Sequence, residues 1–472
     1  SAASMYIPRR HKKFYRHWWD EEMDNLKQAS IESNQIWKAA GKPRHGPVFN
    51  KRQTCRLRYR KEIRNRENMS LISYSNDLHE ALLQKNGPVF WKCWRSKFDC
   101  QNKCDEVNGC SDSKIVADNF AEYFSKLYVC NNPSRAEELY REYLQVKSNY
   151  CGSPFTDAYI FDVDLISKTI ASLKRGKAAG LDSLSNEHFI FSHPALSSVL
   201  VRLFNLIMMS RVVPRSFTLS YTVPVPKVHD CRSKAMKCED FRGIAISSVM
   251  SKIFEHCILD RYNDFFETAD NQFGFKRGLG CSHAIYSVRT IVEGFVNHGG
   301  TANLCSIDLS KAFDKVNHHA LLLKLMKRHV PSVLIDILEF WLSNCWSGIK
   351  WQSVMSDFFS IKYGVRQGSV LSPFLFAIYV NDLFTIQNVR HGIYVILYAD
   401  DILILSSSVY MLQKMFSICE KELMWLDMLI NVSKSGCLRI GPRCQIKCTP
   451  IRTFSGYVIP WVATLKYLRI YI

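Results

Sequence analysis

The sequence predicts an α+β protein that is preceded by a mostly helical, basic N-terminal extension. Residues 12–85 carry Trp, Leu and Ile at helical spacing among many charged residues. From about residue 160, short β-branched runs alternate with longer amphipathic stretches, which is typical of a sheet backed by helices. Hydrophobic residues make up 47% of the 472-residue chain, so a large core can form.

The N-terminal extension, residues 1–115, is the most basic part of the chain. Residues 1–70 hold 17 Lys and Arg against 7 Asp and Glu, which accounts for more than half of the net charge of +19. Gly and Pro at 41–43 and 45–47 divide the extension into at least two helices. Aromatic residues lie among the cations, as in grooves that bind phosphates and stack bases, although a solvated basic face is the alternative interpretation. The cations that we expect to bind nucleic acid are Arg9, Arg10, Lys12, Lys13, Arg56, Arg58 and Arg60.

The 17 cysteines indicate reduced thiols rather than a disulfide framework, because the chain is long and its first residues are basic rather than apolar. Cys100, Cys104 and Cys110 have the spacing C-x3-C-x5-C with no His nearby, which favours free loop thiols over a zinc site. No stretch reaches the roughly 18 apolar residues that a membrane-spanning helix needs, so we expect no membrane insertion. The apolar residues 370–380 are interrupted by Ser-Pro and are predicted to form a buried helix.

Two domains are predicted after the extension. Residues 116–300 form the first, with helices over 116–150 as a lead-in, and residues 301–472 form the second. The predicted strands are the β-branched runs Tyr221–Val225, Ala302–Ile307, Tyr394–Leu397 and Ile402–Leu405.

Carboxylates stand at the ends of three of these predicted strands. Asp308 directly follows one apolar run, and Asp400-Asp401 interrupts another. Burying adjacent charges is costly, so we expect the Asp pair at a hairpin turn with its charge balanced by a metal ion. Two Mg²⁺ ions about 4 Å apart can support phosphoryl transfer, and Mg²⁺ prefers oxygen ligands. An Asp pair by itself is more often an ordinary surface turn, so the neighbouring motifs decide the interpretation.

Those motifs resemble reverse transcriptases. Tyr398-Ala-Asp-Asp401 resembles the catalytic motif of that family, and the segment Asp308–Asp314 resembles its first palm motif. Gly364-Val-Arg-Gln-Gly-Ser-Val-Leu-Ser-Pro373 resembles the loop and helix that lie under the template and the incoming nucleotide. The motifs occur in the usual order from about residue 160 to the end, and together they are more similar to LINE-type (non-LTR) retrotransposon enzymes than to retroviral ones.

This resemblance implies a right-hand polymerase with fingers at 116–300 and a palm at 301–472. It implies that Asp308 and Asp400 bridge two Mg²⁺ ions and that Asp401 supports them. Lys434 lies in a segment that resembles the fourth palm motif, which implies that it protonates the departing pyrophosphate.

The resemblance also assigns the nucleotide and nucleic-acid contacts. Val223-Pro-Val-Pro-Lys227 and Phe241-Arg242-Gly243 resemble two fingers motifs, which implies that Lys227 and Arg242 hold the triphosphate. Gln272-Phe-Gly-Phe-Lys-Arg277-Gly resembles the third fingers motif and is expected to touch template. The other residues expected to contact nucleotide or nucleic acid by this resemblance are Gln367, Gly368, Arg277 and Arg366.

The resemblance at Phe313 implies that the protein selects deoxynucleotides over ribonucleotides. The resemblance places its ring against the sugar of the incoming nucleotide, where it leaves no room for a 2′-hydroxyl. RNA-dependent RNA polymerases, the second alternative, usually hold a polar residue there and Gly in place of Ala399.

The expected function is RNA-directed DNA synthesis for target-primed reverse transcription, with template RNA, primer or target DNA and dNTPs as partners. An endonuclease is then expected from missing sequence or another chain. Residues 465–472 resemble the primer-grip hairpin, with Arg469 where Gly is usual, and the thumb is expected to be absent or truncated. The expected location is the nucleus, with ribonucleoprotein assembly in the cytoplasm. The alternative is a decayed or domesticated enzyme that binds RNA without copying it, against which the intact carboxylates argue.

Overall fold

The computed structural model describes residues 21–83, 87, 90, 106–227 and 235–472. The chain forms two compact units, one from residues 1–104 with 230–233, and the other from residues 105–229 with 234–472. None of the described helices is long and apolar enough to cross a lipid bilayer.

The N-terminal unit contains a helical hairpin, as the Gly and Pro positions predict. Helix α1 (Glu21–Ala39) begins with acidic residues, and α2 (Pro47–Leu83) returns antiparallel to it. Arg52 joins the two near the turn, since its Nε donates to Asn34 Oδ1 at 2.8 Å and its guanidinium lies 3.7 Å from the Trp37 ring centroid. The prediction of at least two helices in this region is confirmed.

The larger unit is built around a four-stranded antiparallel sheet in the order β7-β8-β3-β9. Every residue of β3 is buried, which agrees with its apolar and β-branched composition. In this sheet Ile307 pairs with Ile402, so the residue that follows β3 lies opposite Asp401, the first residue of β8. The strands are β3 (Ala302–Ile307), β7 (Ile393–Tyr398), β8 (Asp401–Ser406) and β9 (Gly436–Ile440).

A second sheet joins the two halves of this unit. Strands β1 (Leu219–Pro226) and β2 (Phe241–Ser247) form an antiparallel hairpin, and β4 (Trp346–Trp351) runs parallel to β1. The short strands β5 (Val354–Met355) and β6 (Phe359–Ser360) both pair with β4. Because β1 and β4 come from the first and second predicted domains, the sheet ties those regions together.

Helices cover these sheets and connect their strands. They are α3 (Ser113–Leu127), α4 (Pro133–Ser148), α5 (Val163–Ser172), α6 (Asn186–Ile190), α7 (Ala195–Ser210), α8 (Arg215–Thr218), α9 (Val249–Arg261), α10 (Asn263–Phe266), α11 (Cys281–Asn297), α12 (His318–Lys327), α13 (Ser332–Ser343), α14 (Ser372–Tyr379) and α15 (Val409–Trp425). Two small hairpins, β10 (Ile451–Arg452) with β11 (Val458–Ile459) and β12 (Lys466–Tyr467) with β13 (Ile470–Tyr471), complete the unit.

The predicted elements agree with this architecture. The four predicted strands correspond to β1, β3, β7 and β8, and the helical lead-in corresponds to α3 and α4. The apolar stretch interrupted by Ser-Pro forms α14, a largely buried helix with Pro in its first turn, where the missing N–H costs no hydrogen bond.

Candidate active site

Three carboxylates gather at one edge of the four-stranded sheet. Ala399 and Asp400 form the two-residue turn between β7 and β8, and Asp401 pairs with Tyr398 across it. Asp308 directly follows β3, and the β3–β8 register makes it the neighbour of Asp401. The backbone of Asp308 is fixed as well, since its N–H donates to Ser435 Oγ at 3.1 Å. The fold therefore brings together the three Asp residues that the sequence singled out.

The electrostatics of these carboxylates favour a bound cation. Burial raises the pKa of Asp308, and Asp400 adds to the rise, whereas Lys434 and a hydrogen bond from Asn431 oppose it. Burial, followed by repulsion from Asp400 and Asp308, raises the pKa of Asp401 to about 6. A divalent cation at this edge would relieve that repulsion.

The donor set fits a hard divalent ion, although it is not a complete cage. Among the residues that the structure describes, no three His, Cys, Asp or Glu side chains converge as a ready-made metal site. Mg²⁺ commonly binds one or two carboxylates and takes its other oxygen ligands from water and substrate phosphates. Asp308, Asp400 and Asp401 supply carboxylate oxygens of this kind.

Basic side chains lie near the carboxylates, since Lys434 influences the pKa of both Asp308 and Lys227. Lys227 directly follows β1 and Arg242 lies on β2, so the hairpin places them side by side. Burial lowers the pKa of Lys227, and repulsion from Lys434, Arg242 and Lys311 lowers it further. Three cations are therefore close enough to Lys227 to repel it, which favours an anion beside these side chains.

Lys311 was missed by the sequence reasoning. It belongs to the first palm motif, between Asp308 and Phe313, and its position in that motif was the only available signal. The structure gives it a left-handed backbone with φ +53° and places its ammonium 5.3 Å from the Tyr123 ring centroid. It joins the cations that sequence reasoning did identify.

The ring of Phe313 is held by two other aromatic residues. It stacks on Phe376 of α14 with centroids 4.5 Å apart and planes 17° apart. Phe275 meets it edge-on, with centroids 6.1 Å apart and planes 88° apart. Phe313 is only partly buried, so a held ring retains an accessible surface beside the candidate site.

The loop that contains Gln367 and Gly368 is fastened to β2. The side-chain Nε2 of Gln367 donates to Asp314 Oδ1 at 3.0 Å. The backbone carbonyl oxygen of Gln367 accepts from the Ala245 N–H at 2.7 Å. Gly368 has φ +124°, and a Cβ there would lie 2.3 Å from the Ala245 carbonyl oxygen. Only glycine permits this approach, which holds the loop close against β2.

Arg366, for which the resemblance implies a contact with nucleic acid, is buried in this structure, and its binding role stays a prediction. Its side chain is 7% exposed, and its Nη2 donates to the Phe217 carbonyl oxygen at 3.1 Å. Its guanidinium lies over the Trp341 ring, 5.9 Å from the centroid. The backbone N–H of the neighbouring residue Val365 donates a hydrogen bond to the Phe313 carbonyl oxygen. This hydrogen bond holds the loop in a conformation that directs Arg366 into the core.

The other predicted nucleic-acid contacts are distributed over several surfaces. Arg277 is exposed and lines a cavity of about 950 Å³ together with Lys168 and Lys276. Arg56, Arg58 and Arg60 are exposed on α2, where i, i+4 spacing puts the first and third on one face and the second on the other. Their binding roles stay predictions. The predicted residues outside the described part of the chain are Arg9, Arg10, Lys12, Lys13, Cys100 and Cys104.

The last hairpin has a left-handed turn. Leu468 and Arg469 have φ of +46° and +69°, so the position where the family usually has Gly does adopt a glycine-favouring conformation. A side chain in this conformation costs about 1 kcal/mol.

Comparison with known proteins finds relatives whose printed names are those of transposable-element polymerases and polyproteins. The chain is 24% identical over 312 residues to a "Probable RNA-directed DNA polymerase from transposon BS" of Drosophila melanogaster, covering 63% of this chain and 33% of that protein. It is 25% identical over 272 residues to the Drosophila melanogaster "Retrovirus-related Pol polyprotein from type-2 retrotransposable element R2DM", covering 56% and 25%. The "RNA-directed DNA polymerase from mobile element jockey" of Drosophila funebris is 25% identical over 320 residues, covering 65% and 34%. The chain thus spans about a third or less of the length of these relatives.

A solved structure and a family model also match. The chain is 15% identical to an apo telomerase from Candida tropicalis truncated from the C-terminal domain, covering 54% of this chain and 57% of that chain, with a TM-score of 0.35. Residues 225–470, slightly more than half of the chain, match the family model described as "Reverse transcriptase (RNA-dependent DNA polymerase)". That family implies divalent-metal chemistry, an RNA template and a DNA primer. The motifs around the three Asp residues and the family match agree, and the chain belongs to the reverse transcriptase family.

Proposed function

We propose that this chain is the RNA-directed DNA polymerase of a non-LTR retrotransposon, and that it uses two Mg²⁺ ions. The observation that carries the proposal is the gathering of Asp308, Asp400 and Asp401 at one sheet edge, with Lys434 close enough to lower the pKa of Asp308 and to repel Lys227. This pairing of acidic and basic surfaces suits a metal-bound triphosphate.

The reaction joins a primer 3′-oxygen to the α-phosphorus of a dNTP while the bond from that phosphorus to pyrophosphate breaks. The three Asp residues would hold the metal ions, which when bound lower the cost of the charge on the attacking and leaving oxygens. Lys227, Arg242 and Lys311 neutralise the triphosphate. The primer hydroxyl loses its proton to solvent, and Lys434, whose charge is felt at Asp308, donates a proton to the departing pyrophosphate.

The finer assignments follow the relatives. The names of the matched proteins include transposon and R2 polymerases, so we propose target-primed synthesis in the nucleus, with ribonucleoprotein assembly in the cytoplasm. The nick in the target DNA requires an endonuclease, which we assign to sequence outside this chain or to a second protein. Template RNA and target DNA are the two polyanions that the basic N-terminal unit would meet.

Primer extension on an RNA template tests the polymerase assignment directly. A labelled DNA primer annealed to RNA is incubated with the protein, Mg²⁺ and either dNTPs or NTPs. Extension with dNTPs alone is expected. Tight RNA binding without extension would instead support the decayed or domesticated binding protein, and preference for NTPs would support an RNA-dependent RNA polymerase.

Lys227→Ala and Lys311→Ala are each expected to raise the KM for dNTP about tenfold, because each removes one charge-assisted contact to the triphosphate. Steady-state extension at varied dNTP concentration measures this change. Lys421→Ala is the matched control, since Lys421 is an exposed lysine on α15, and it should leave the KM unchanged. An unchanged KM in Lys311→Ala would remove that residue from the site.

Asp401→Asn is expected to stabilise the metal-free protein at pH 8 but not at pH 4. The folded-state pKa of about 6 lies above the usual value of 3.8, so ionising Asp401 costs stability as the pH rises through this interval. The cost is fully present above the folded-state pKa, and the neutral Asn removes it. Thermal unfolding in chelator at both pH values measures the difference. Equal unfolding temperatures at pH 8 would show that the carboxylates do not repel one another appreciably.

A further inference from the structure

The turn that presents Asp400 has a conformation that its own residues disfavour. Ala399, the residue before Asp400, has φ +55°, a left-handed value that residues with a Cβ adopt rarely. Because Asp400 follows directly, the direction of its carboxylate depends on this dihedral. The two-residue hairpin calls for a positive φ at its first residue, which Ala adopts less readily than Gly, so a contact from outside the turn would help to hold Ala399 in place.

Gln272 makes the contact that does so. Its side chain is fully buried, and its Oε1 accepts from the Ala399 N–H at 3.2 Å and from the Gly274 N–H at 2.9 Å. The adjoining backbone is locked to β7, since the Phe273 N–H donates to the Leu397 carbonyl at 2.8 Å and the Leu397 N–H donates to the Asn271 carbonyl at 2.9 Å. One carboxamide oxygen thus ties the catalytic turn to a segment extending the sheet.

Two further features show how closely this segment fits the turn. A Cβ on Gly274 would lie 2.3 Å from the Ala399 nitrogen, so only glycine allows the approach. The Nε2 of Gln272 is buried with no hydrogen-bond partner, an arrangement that ordinarily costs stability. An apolar side chain would avoid that cost but would leave the Ala399 and Gly274 N–H groups without this acceptor.

We infer that Gln272 is a positioning residue for the divalent-metal site, because its carboxamide fixes the left-handed Ala399 and thereby aims the carboxylates of Asp400 and Asp401. The inference rests on the proposed function in assigning a metal to those carboxylates. It also gives the third fingers motif a role beside its expected contact with template: Gln272, Phe273 and Gly274 face the catalytic turn, whereas Arg277 remains exposed.

Gln272→Met tests the inference, since Met has a similar volume and offers no comparable acceptor. Binding of Mn²⁺ to the full chain is measured by the electron paramagnetic resonance signal of free Mn²⁺, without nucleic acid. The Kd is expected to rise about tenfold, the equivalent of one lost buried hydrogen bond together with the resulting misalignment. The Asp400→Ala, Asp401→Ala double variant marks the loss of the site.

Asn303→Leu is the matched structural control. Asn303 is also a buried amide on the same sheet, where its Nδ2 donates to the Ser406 carbonyl at 3.0 Å and its Oδ1 accepts from Arg439 Nε at 3.1 Å. It lies on β3, five residues before Asp308. Its replacement is expected to lower thermal stability while leaving the Mn²⁺ Kd within about twofold of the wild-type value.

Ala399→Gly supplies an independent test, because glycine adopts the left-handed conformation without help. In this background Gln272→Met should raise the Mn²⁺ Kd by about threefold or less, so the two substitutions should be non-additive. If Gln272→Met alone does not fold, Gly274→Ala displaces the same turn through the short contact with Ala399 and should weaken Mn²⁺ binding similarly.

Two results would overturn the inference: an unchanged Mn²⁺ Kd in the folded Gln272→Met and Gly274→Ala variants, or equal weakening in Asn303→Leu. Failure of the proposed function looks different. A wild-type protein that binds Mn²⁺ through the Asp residues but extends no primer on RNA would leave the positioning role intact and remove the polymerase assignment.

Discussion

Replacing Asp400 and Asp401 with Ala is expected to abolish primer extension, with a loss of about 10³-fold or more, because in the proposed mechanism both would hold the metal ions that the transition state requires. The two residues occupy the turn and the first position of β8, and Asp308 is their neighbour across the sheet. No other described residue in this sheet edge supplies an equivalent carboxylate pair. Quantifying extended primer over a fixed time on an RNA template measures the loss.

The control for this prediction is Asp357→Ala, which removes an exposed carboxylate of the same unit. It should retain wild-type extension. Binding of the primer–template by the double variant should also survive, because the phosphate contacts reside on cations elsewhere. Residual extension above a few per cent of wild type would mean that the turn carboxylates do not hold the catalytic metal ions.

Activity and stability are expected to change in opposite directions at this site. Asp401, to which we assign a catalytic role, raises the energy of the metal-free fold, since burial and neighbouring carboxylates oppose its ionisation. A left-handed Ala399 and an unpaired Gln272 amide add to the local cost. Such unfavourable features are characteristic of functional sites, where surrounding structure holds what local preference disfavours.

The carboxylates could be predicted from the sequence because their signal is local. Apolar, β-branched residues flank Asp308 and the Asp pair, and the fold turned those runs into β3, β7 and β8 with the carboxylates at the strand ends. Strands β3 and β8 are adjacent and antiparallel, and Ile307 pairs with Ile402. This register brings Asp308 beside the Asp pair.

The surroundings of Arg366 and Gln272 could not be predicted from the sequence, because they depend on tertiary contacts. The sequence alone suggests that Arg366 is an exposed cation in a loop. The hydrogen bond from the Val365 N–H to the Phe313 carbonyl oxygen instead directs its side chain into the core. Gln272 reads as one polar residue in a motif, and only the packing of that segment against the turn reveals its two accepted hydrogen bonds. Both the Val365 contact and the contact of Gln272 with the turn join residues that are far apart in the sequence, so no periodicity or motif spacing in a single sequence indicates them.

Phe313→Ala is expected to reduce the preference for dNTPs over NTPs by about 10- to 100-fold, since removing a ring opens the space that a 2′-hydroxyl needs. The ring is packed between two others, because Phe376 stacks on it with centroids 4.5 Å apart and Phe275 meets it edge-on. We therefore attribute the discrimination between dNTPs and NTPs to steric exclusion of the 2′-hydroxyl by the Phe313 ring. The ratio of kcat/KM for matched dNTP and NTP substrates measures the effect.

Two further variants separate a steric boundary from general loosening of the core. Phe376→Ala removes the stacking partner but leaves the Phe313 ring present, so discrimination should fall by less than in Phe313→Ala. Phe295→Ala deletes a ring that packs on Tyr394 of β7, with centroids 5.9 Å apart, and it should lower stability without altering the ratio. If all three variants changed the ratio equally, or Phe313→Ala left it unchanged, Phe313 would be a packing residue and sugar selection would reside elsewhere.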